Sequence, residues 1–276
     1  MAKSKSYEGP KVLVFDIETA PIIAHVWGLW ENNVGLSQVV SDWHTLSWSA
    51  KWWEAPNGKV YGPHNKVMYS DQRGKKNVQD DRALLKSIWS LLDEADIVIT
   101  QNGKSFDQKK LNARFVINKI PKPSSFKHID TKILAQKHFN FPSYKLEYMA
   151  DVLCTKYKKL KHKKYPGHEM WTECLKDNVD AWKEMEQYNK HDVLVLEELY
   201  NVLSPWDNTI NFNLYSDNPI NECKCGSKDF IKNGFYYTSV SKFQKYKCKG
   251  CSSETRSRIN LFSKEKKQSL QTHTTG

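Results

Sequence analysis

The spacing of apolar residues changes period several times along the chain. Residues 12–15 (VLVF) form an unbroken β-branched and aromatic run, which predicts a strand buried on both faces. Residues 45–53 (TLSWSAKWW) and 59–62 (KVYG) read as two further strands. The APNG between them is turn chemistry, so an antiparallel hairpin beside the first strand is expected. From Asp80 the period becomes helical, with Leu84, Leu85, Ile88, Trp89, Leu91 and Leu92 on the apolar stripe and Asp80 or Asp81 placed as N-cap. A short buried strand follows at 96–100, then a turn and helix over 101–115, a brief strand with an Asp-capped helix over 128–139, and a helix over 144–154. Residues 179–203 predict a long amphipathic helix, broken or bent near its middle.

Strands followed by alternating helix and strand predict an α/β domain with a mixed sheet over residues 10–204. Residues 1–9 are expected to be flexible. Residues 205–219 are polar and Asn-rich and read as a linker. Residues 220–260 carry short strand-like runs (DFIKNGFYY, KFQKYK) and four of the six cysteines, and so predict a separate small unit. From residue 261 the chain is polar and lysine-rich, a tail expected to be disordered. No internal repeat is visible.

A net charge of +11 and a pI near 9.2 point to a polyanionic partner, nucleic acid before others, with a merely soluble basic protein as the plain alternative. Ten Trp and thirteen Tyr exceed what a core needs, leaving some for a binding surface. The start MAKSKSYEGPK lacks the apolar segment of a signal peptide, and no run approaches the ~20 apolar residues of a membrane span. No membrane contact is therefore expected. The expected compartment is the cytoplasm, a host's if the chain is phage-encoded. Cysteines stay reduced there, which favours a metal explanation over disulfides.

Within VLVFDIETAP (12–21) the apolar run meets Asp16 and Glu18. Residues i and i+2 of a strand share a face, so two like charges would lie side by side and raise each other's pKa. Two further acids sit in suggestive surroundings. Asp107 starts a helix in NGKSFD (102–107), and Asp192 lies in YNKHD (188–192), one helical turn after Tyr188. Four acids converging at a sheet end would bind hard divalent cations through oxygen, and their charge would remove the repulsion. Taken singly, Asp107 reads as a helix cap, Asp192 as a solvated helix residue, Tyr188 as a packing aromatic and Glu18 as a strand-end charge. Asp130, before Thr131 at a helix start, reads as an N-cap.

FDIET, NGxxFD and YxxxD, in that order, resemble the motifs of the DEDD 3′–5′ exonucleases, and the Tyr four residues before the last Asp resembles the DEDDy branch found in proofreading domains. The surrounding text is similar to stand-alone phage and bacterial members related to polymerase-B exonucleases, over residues 10–203. The resemblance implies a ribonuclease H-like fold, a mixed five-stranded sheet flanked by helices. It implies two Mg²⁺ or Mn²⁺ ions, with Asp16 bridging both, Glu18 and Asp192 completing the site for the attacking water, Asp107 at the second ion partly through water, and Tyr188 orienting the water. His191 receives no chemical role. Asn102 near the substrate backbone and Phe106 against a base are implied too, with a turn-and-core reading equally open for both.

Cys223-Lys-Cys225 and Cys248-Lys-Gly-Cys251 flank about twenty residues that would form a hairpin, a spacing suited to a tetrahedral Cys₄ site for one structural Zn²⁺. The form CGS…NG…YKCKGC resembles the zinc ribbons of transposases and other nucleic-acid-handling proteins, apart from CxC where CxxC is usual. Cys154 and Cys174 read as unliganded thiols.

Lysines 156, 158, 159, 161, 163 and 164, interleaved with Tyr157 and Tyr165, suit phosphate contact and stacking, or a solvated basic loop. The cysteine unit adds Lys232, Phe235, Tyr236, Tyr237, Lys242, Lys245 and Lys247 as a second nucleic-acid contact. Together these readings predict a metal-dependent exonuclease that releases nucleoside 5′-monophosphates. DNA is expected ahead of RNA, and replication or recombination proteins are candidate partners. An RNA-directed or structure-specific nuclease, or a binding protein without activity, are the alternatives. With no polymerase domain following, proofreading would act in trans.

Overall fold

The run at residues 12–15 becomes the centre of the molecule. In the computed structural model, which describes residues 9–30, 32–160, 164–217 and 219–272, the elements β1 (Val12–Thr19), β2 (Ile23–Ala24), β3 (Val39–Ser41), β4 (Thr45–Trp52) and β5 (Met68–Asp71) precede α1 (Arg82–Glu94). β6 (Ile97–Thr100), α2 (Asp107–Ile117), β7 (Lys127–Asp130), α3 (Thr131–His138), α4 (Leu146–Leu153), α5 (Glu169–Leu175) and α6 (Val179–Leu203) follow. A last group comprises β8 (Phe230–Tyr237), β9 (Lys242–Cys248), β10 (Glu254–Asn260) and α7 (Lys264–Ser269).

Five strands form one sheet in the order β5-β4-β1-β6-β7. β4 runs antiparallel to β1 and to β5, whereas β1, β6 and β7 are parallel. This is the mixed ribonuclease H-like sheet expected from the sequence. The alternation of β1 assigns its faces: Leu13, Phe15 and Ile17 pack with Leu84, Leu85, Ile88 and Leu92 of α1 and with Leu111 and Phe115 of α2. Val12 and Val14 face α3, α4 and α6, and by the same period Asp16 and Glu18 belong to that second face. No helix among the described residues is long and apolar enough to cross a membrane.

Several expectations are corrected. The helix over 179–203 is continuous, since it contains neither Pro nor Gly, and Asn178 caps it by accepting from Asp180 and Ala181 N–H. Residues 59–62 contribute only a bridge, Glu54 to Val60, and the antiparallel neighbour of β4 is instead β5. Asp81 occupies the N-cap position of α1 without capping it. Its wholly buried carboxylate accepts from Thr45 N–H (2.9 Å) and is forked by Arg114 (2.6 and 2.8 Å), tying β4 to α2. Asp130 does cap α3, and it also receives the N–H groups of Asn102 and Lys104.

The segment read as a linker is packed. Phe212 sits edge-on to Trp53 and Tyr61, and Asp207 is buried and accepts from Tyr200 Oη (3.0 Å). The expected disordered tail contains α7, capped by Ser263 Oγ. Residues 1–8 and 273–276, also expected to be flexible, lie outside the described residues. β8, β9 and β10 form their own antiparallel sheet in the order β10-β9-β8.

One buried ion pair sets α6 against the sheet. Lys51 of β4 donates to both Glu197 oxygens (2.5 and 2.7 Å), and Glu197 also accepts from Glu54 N–H (2.8 Å). Both side chains are almost out of solvent, and burial pushes the Glu197 carboxyl up despite the ammonium beside it. Lys51→Met leaves that carboxylate uncompensated and is expected to lower the unfolding free energy by ~3–5 kcal/mol, whereas adding Glu197→Met recovers most of the loss. Urea denaturation of both variants beside the parent measures this. Unchanged stability of Lys51→Met would show that the pair does not hold α6.

Candidate metal and nuclease site

The site is built where β1 leaves the core. Asp16 and Glu18 project from consecutive positions of one face, and α6 crosses that face with Asp192. One ligand oxygen from each of Asp16, Glu18 and Asp192 lies within 4.8 Å of the others, so the three carboxylates form a group able to hold a metal ion. Tyr188 stands one turn before Asp192 on the same helix, and both side chains are buried.

Asp107 is adjacent but is not part of this group. As the first residue of α2 it is buried, and its Oδ1 accepts from Ile17 N–H (3.1 Å), which locks the start of α2 onto β1. It is the largest charge acting on Asp16 after burial itself.

The electrostatics follow from this crowding. Burial first, then the charges of Asp107, Glu18 and Asp192, raise Asp16 well above the usual carboxylate range. Burial and Asp192 raise Glu18 to about 8, and burial raises Asp107 to about 7 against the opposing Ile17 hydrogen bond. Among the described residues, Lys159 brings a cation against these charges. Lys159 Nζ lies 2.9 Å from Asp192 Oδ2 and 4.9 Å from the centre of the Tyr188 ring. Burial works against its charge, but Asp192 and Tyr188 outweigh burial and raise its pKa.

Two contacts escaped the sequence reading. Asn189 Nδ2 donates to Asp16 Oδ2 (2.7 Å) while Ser47 Oγ of β4 donates to Asn189 Oδ1 (3.2 Å), so a wholly buried amide orients the strand carboxylate. Trp171 of α5 donates its indole N–H to Glu18 Oε2 (2.9 Å) and meets Tyr188 edge-on at 6.1 Å. Asn189 adjoins the YxxxD motif and was legible as a polar residue on the core side of a helix. Nothing in the short segment around Trp171 marks it as a neighbour of Glu18.

Asn102 sits at φ 62° in the turn before α2, and its Oδ1 accepts from Lys132 Nζ (3.1 Å). The next residue must be glycine, because a Cβ at Gly103 would overlap the Thr100 side chain. Asn102 and Lys159 line one cavity of ≈ 510 Å³ together with Lys132, Tyr144 and Lys145. Phe106 is partly exposed beside Asp107.

The basic run is less uniform than its composition suggests. Lys158, expected to meet substrate, is instead spent inside the fold: its ammonium donates to the carbonyls of Ala150, Asp151 and Cys154 at the end of α4. Lys156 is exposed over the Tyr157 ring, and Lys161 and Lys163 lie outside the described residues. His191 Nε2 hydrogen-bonds to the Lys158 carbonyl (2.6 Å).

A second cluster forms at the far end of α6. The Sγ atoms of Cys223, Cys225, Cys248 and Cys251 all lie within 4.8 Å of one another, with Cys223–Cys251 at 3.5 Å and Cys225–Cys248 at 3.6 Å. Tetrahedral thiolates at ~2.3 Å from a central ion would be about 3.8 Å apart, so this donor set fits a zinc-sized ion. The short CxC knuckle has a structural reason. Lys224 between the cysteines turns its ammonium to the carbonyl and carboxylate of Asp207, and its own carbonyl accepts from Tyr61 Oη (2.9 Å). Cys154 and Cys174 are buried away from the cluster.

No curated protein matches. Among solved structures, a family B DNA polymerase from the hyperthermophilic archaeon Pyrobaculum calidifontis aligns at 13% identity with a TM-score of 0.48, over 71% of this chain and 25% of that one. A family model described as RNase_H superfamily matches residues 59–204, more than half of the 276 residues, beginning after the strand of Asp16 and Glu18 and ending after the helix of Tyr188 and Asp192. The chain belongs to the RNase_H superfamily.

Proposed function

We propose that the protein is a metal-dependent 3′–5′ exonuclease of the DEDDy kind that hydrolyses DNA from its ends to nucleoside 5′-monophosphates. Superfamily membership supports nuclease activity in general. The observation that carries the finer reading is the convergence of Asp16, Glu18 and Asp192 within 4.8 Å beside Tyr188. Three crowded carboxylates, with a lysine ammonium drawn against one of them, are a donor set for hard divalent ions such as Mg²⁺ or Mn²⁺.

Asp16, Glu18 and Asp192 would hold one ion, and Asp16 with Asp107 a second. When bound, such ions polarise a phosphodiester and lower the pKa of a water. The remaining work falls to the protein. Asn189 holds the Asp16 carboxylate and Trp171 the Glu18 carboxylate, each in one orientation. Tyr188, its pKa raised mainly by burial, keeps its phenol proton and can donate it to the oxygen of an attacking water or of the phosphate. Lys159 stands where it can pass from Asp192 to a substrate phosphate. DNA is chosen over RNA on the motif resemblance to proofreading domains. The four-thiol cluster would hold one structural Zn²⁺.

The three-stranded sheet is read as a second nucleic-acid contact. Lys242 lies 3.8 Å from the Phe235 ring centre and Arg256 lies 4.2 Å from that of Phe243, so cations and aromatic faces alternate along it. Lys242→Gln with Arg256→Gln is expected to weaken strand binding and flatten its salt dependence by roughly one slope unit per residue. Hydrolysis of a mononucleotide ester should not change. Identical salt slopes would remove this sheet from the interface.

The raised carboxylates make a stability prediction. Glu18 titrates at about 8 against an ordinary 4.5, so the folded chain keeps its proton longer than the unfolded chain. That contribution is full below pH 4.5 and is lost as pH rises through about 8, and Asp107 acts likewise up to about 7. Without added divalent ions the melting temperature is expected to fall as pH rises over this window, and Mg²⁺ or Mn²⁺ should restore it most at the alkaline end. A melting temperature indifferent to both would argue against an ion site here.

The direct assay uses end-labelled single- and double-stranded DNA and RNA with Mg²⁺ or Mn²⁺. Asp16→Ala is expected to lose roughly a thousandfold or more, since ion-mediated stabilisation is worth several kcal/mol. Tyr188→Phe should lose about ten- to a hundredfold through misplacement of the water. Full activity in Asp16→Ala would refute the site. Products consisting only of oligonucleotides would refute exonuclease action, and preference for RNA would move the substrate.

A further inference from the structure

Between the carboxylate strand and its antiparallel neighbour the chain makes an excursion that the core does not use. β2 and β3 pair as a two-stranded ribbon, Ile23 with Ser41 and Ala24 with Val39. His25 N–H donates to the Gln38 carbonyl, and Gln38 Nε2 returns a bond to the His25 carbonyl, both at 2.9 Å. The ribbon is paired backbone, and the described residues of the segment that joins its two strands display apolar side chains to solvent. Trp27 is fully exposed, and Leu29, Trp30 and Leu36 are each at least 86% exposed. Among the described residues, no side chain from 22–40 joins a core cluster. Fully burying each would be worth ~1.5–3 kcal/mol, so leaving several of them open together marks an interaction surface.

The position of the arm restricts its occupant. It leaves the sheet one residue after Glu18, where Thr19 pairs with Thr45 and Ala20 N–H donates to the His44 carbonyl. Its root is the edge that carries the three-carboxylate group. At that root Lys110 Nζ lies 3.8 Å from the centre of the Trp43 ring, and Lys110 belongs to α2, the helix that Asp107 begins. A cation and an aromatic face therefore stand at the root of the arm. Along residues 22–40 the sequence has only His25 and Glu31 as titratable groups, so the arm itself offers apolar and π surface and little charge. A second copy of a chain with net charge +11 would meet like charge, whereas a polyanion meets opposite charge. Tryptophan faces beside lysines are the elements that bind single strands through base stacking.

We infer that the 22–40 arm is a stacking clamp for unpaired bases of a single nucleic-acid strand, whose phosphates pass the Lys110–Trp43 root on the way to the carboxylates. The inference rests on the nuclease reading of that site. A duplex hides its base faces, so this arm would engage only the unpaired part of a strand.

The test uses the full-length chain and the Trp27→Ala/Trp30→Ala variant, whose side chains touch no core. Binding of a fluorescent oligodeoxythymidylate and of a blunt duplex is measured without added Mg²⁺ or Mn²⁺. Hydrolysis of the p-nitrophenyl ester of thymidine 5′-monophosphate, which has no strand to stack, is measured with Mn²⁺. Single-strand affinity is expected to fall by roughly tenfold or more in the variant. Duplex affinity and ester hydrolysis should stay within about twofold, and Trp27→Phe/Trp30→Phe should recover part of the loss. An abasic strand should bind the parent as weakly as the base-bearing strand binds the variant. Equal single-strand affinity in parent and variant, or equal binding of abasic and base-bearing strands, would overturn the clamp. So would self-association of the parent that is lost in the variant while strand affinity is kept, because the arm would then cover a second copy. If the parent fails to cleave the ester yet the variant loses strand binding, the nuclease reading falls and the clamp stands.

Discussion

Like charge forced together at the open end of β1 is the constraint around which the rest of the molecule is arranged. Asp16 and Glu18 share a face because a strand's period allows nothing else, and Asp192 is brought against them by α6. Apolar burial along Val12 and Val14 holds the face in place, while the hydrogen bonds of Asn189 and Trp171 fix the carboxylates without neutralising them. Lys159 answers part of the charge. Asp16 and Glu18 are still pushed above the usual carboxylate range, as expected of crowded acids that could hold a cation.

The sheet and the grouping of Asp16, Glu18 and Asp192 were legible because each depends on short-range period. Four apolar residues followed by two acids at i and i+2, and a Tyr and Asp at i and i+4, are local patterns that survive folding unchanged. What was not legible depends on distant partners. Asp81 looks like a cap in sequence, but Arg114 and the Thr45 N–H capture its side chain from other elements. β5 is only four partly buried residues, too few for alternation to declare itself. The break expected near the middle of α6 is absent, since the helix runs unbroken through Val179–Leu203. Asn189 and Asp192 are buried polar residues in that stretch because there the core face of the helix meets Asp16 and Glu18. Lys158 was misread, since its composition suggested a partner that the helix end of α4 had already supplied.

The same logic explains the segment read as a linker. Its asparagines cap turns, as Asn211 does by accepting from Asn213 N–H, while Phe212 packs edge-on to Trp53 and Tyr61, and Ile210 and Tyr215 pack against the same core. Composition over such a stretch is polar because its backbone turns often, and a few buried side chains, Phe212 and Asp207 foremost among those described, fix its placement. Through Asp207 this segment also receives Lys224, so the cysteine cluster is fastened to the end of α6.

That fastening bears on the CxC knuckle. A wider CxxC loop would give the cluster a freer turn, but the residue between Cys223 and Cys225 here serves two structures at once. Its ammonium satisfies Asp207 and its carbonyl satisfies Tyr61, while the flanking thiols join Cys248 and Cys251. Burying a lysine is costly unless it is paired, and Asp207 lowers that cost only if the knuckle holds Lys224 in place. The cluster and the packed segment therefore depend on each other. Because Asp207 of that segment holds Tyr200 in the last turns of α6, order at the thiols supports order at that end of the helix, far from Tyr188 and Asp192 at its middle.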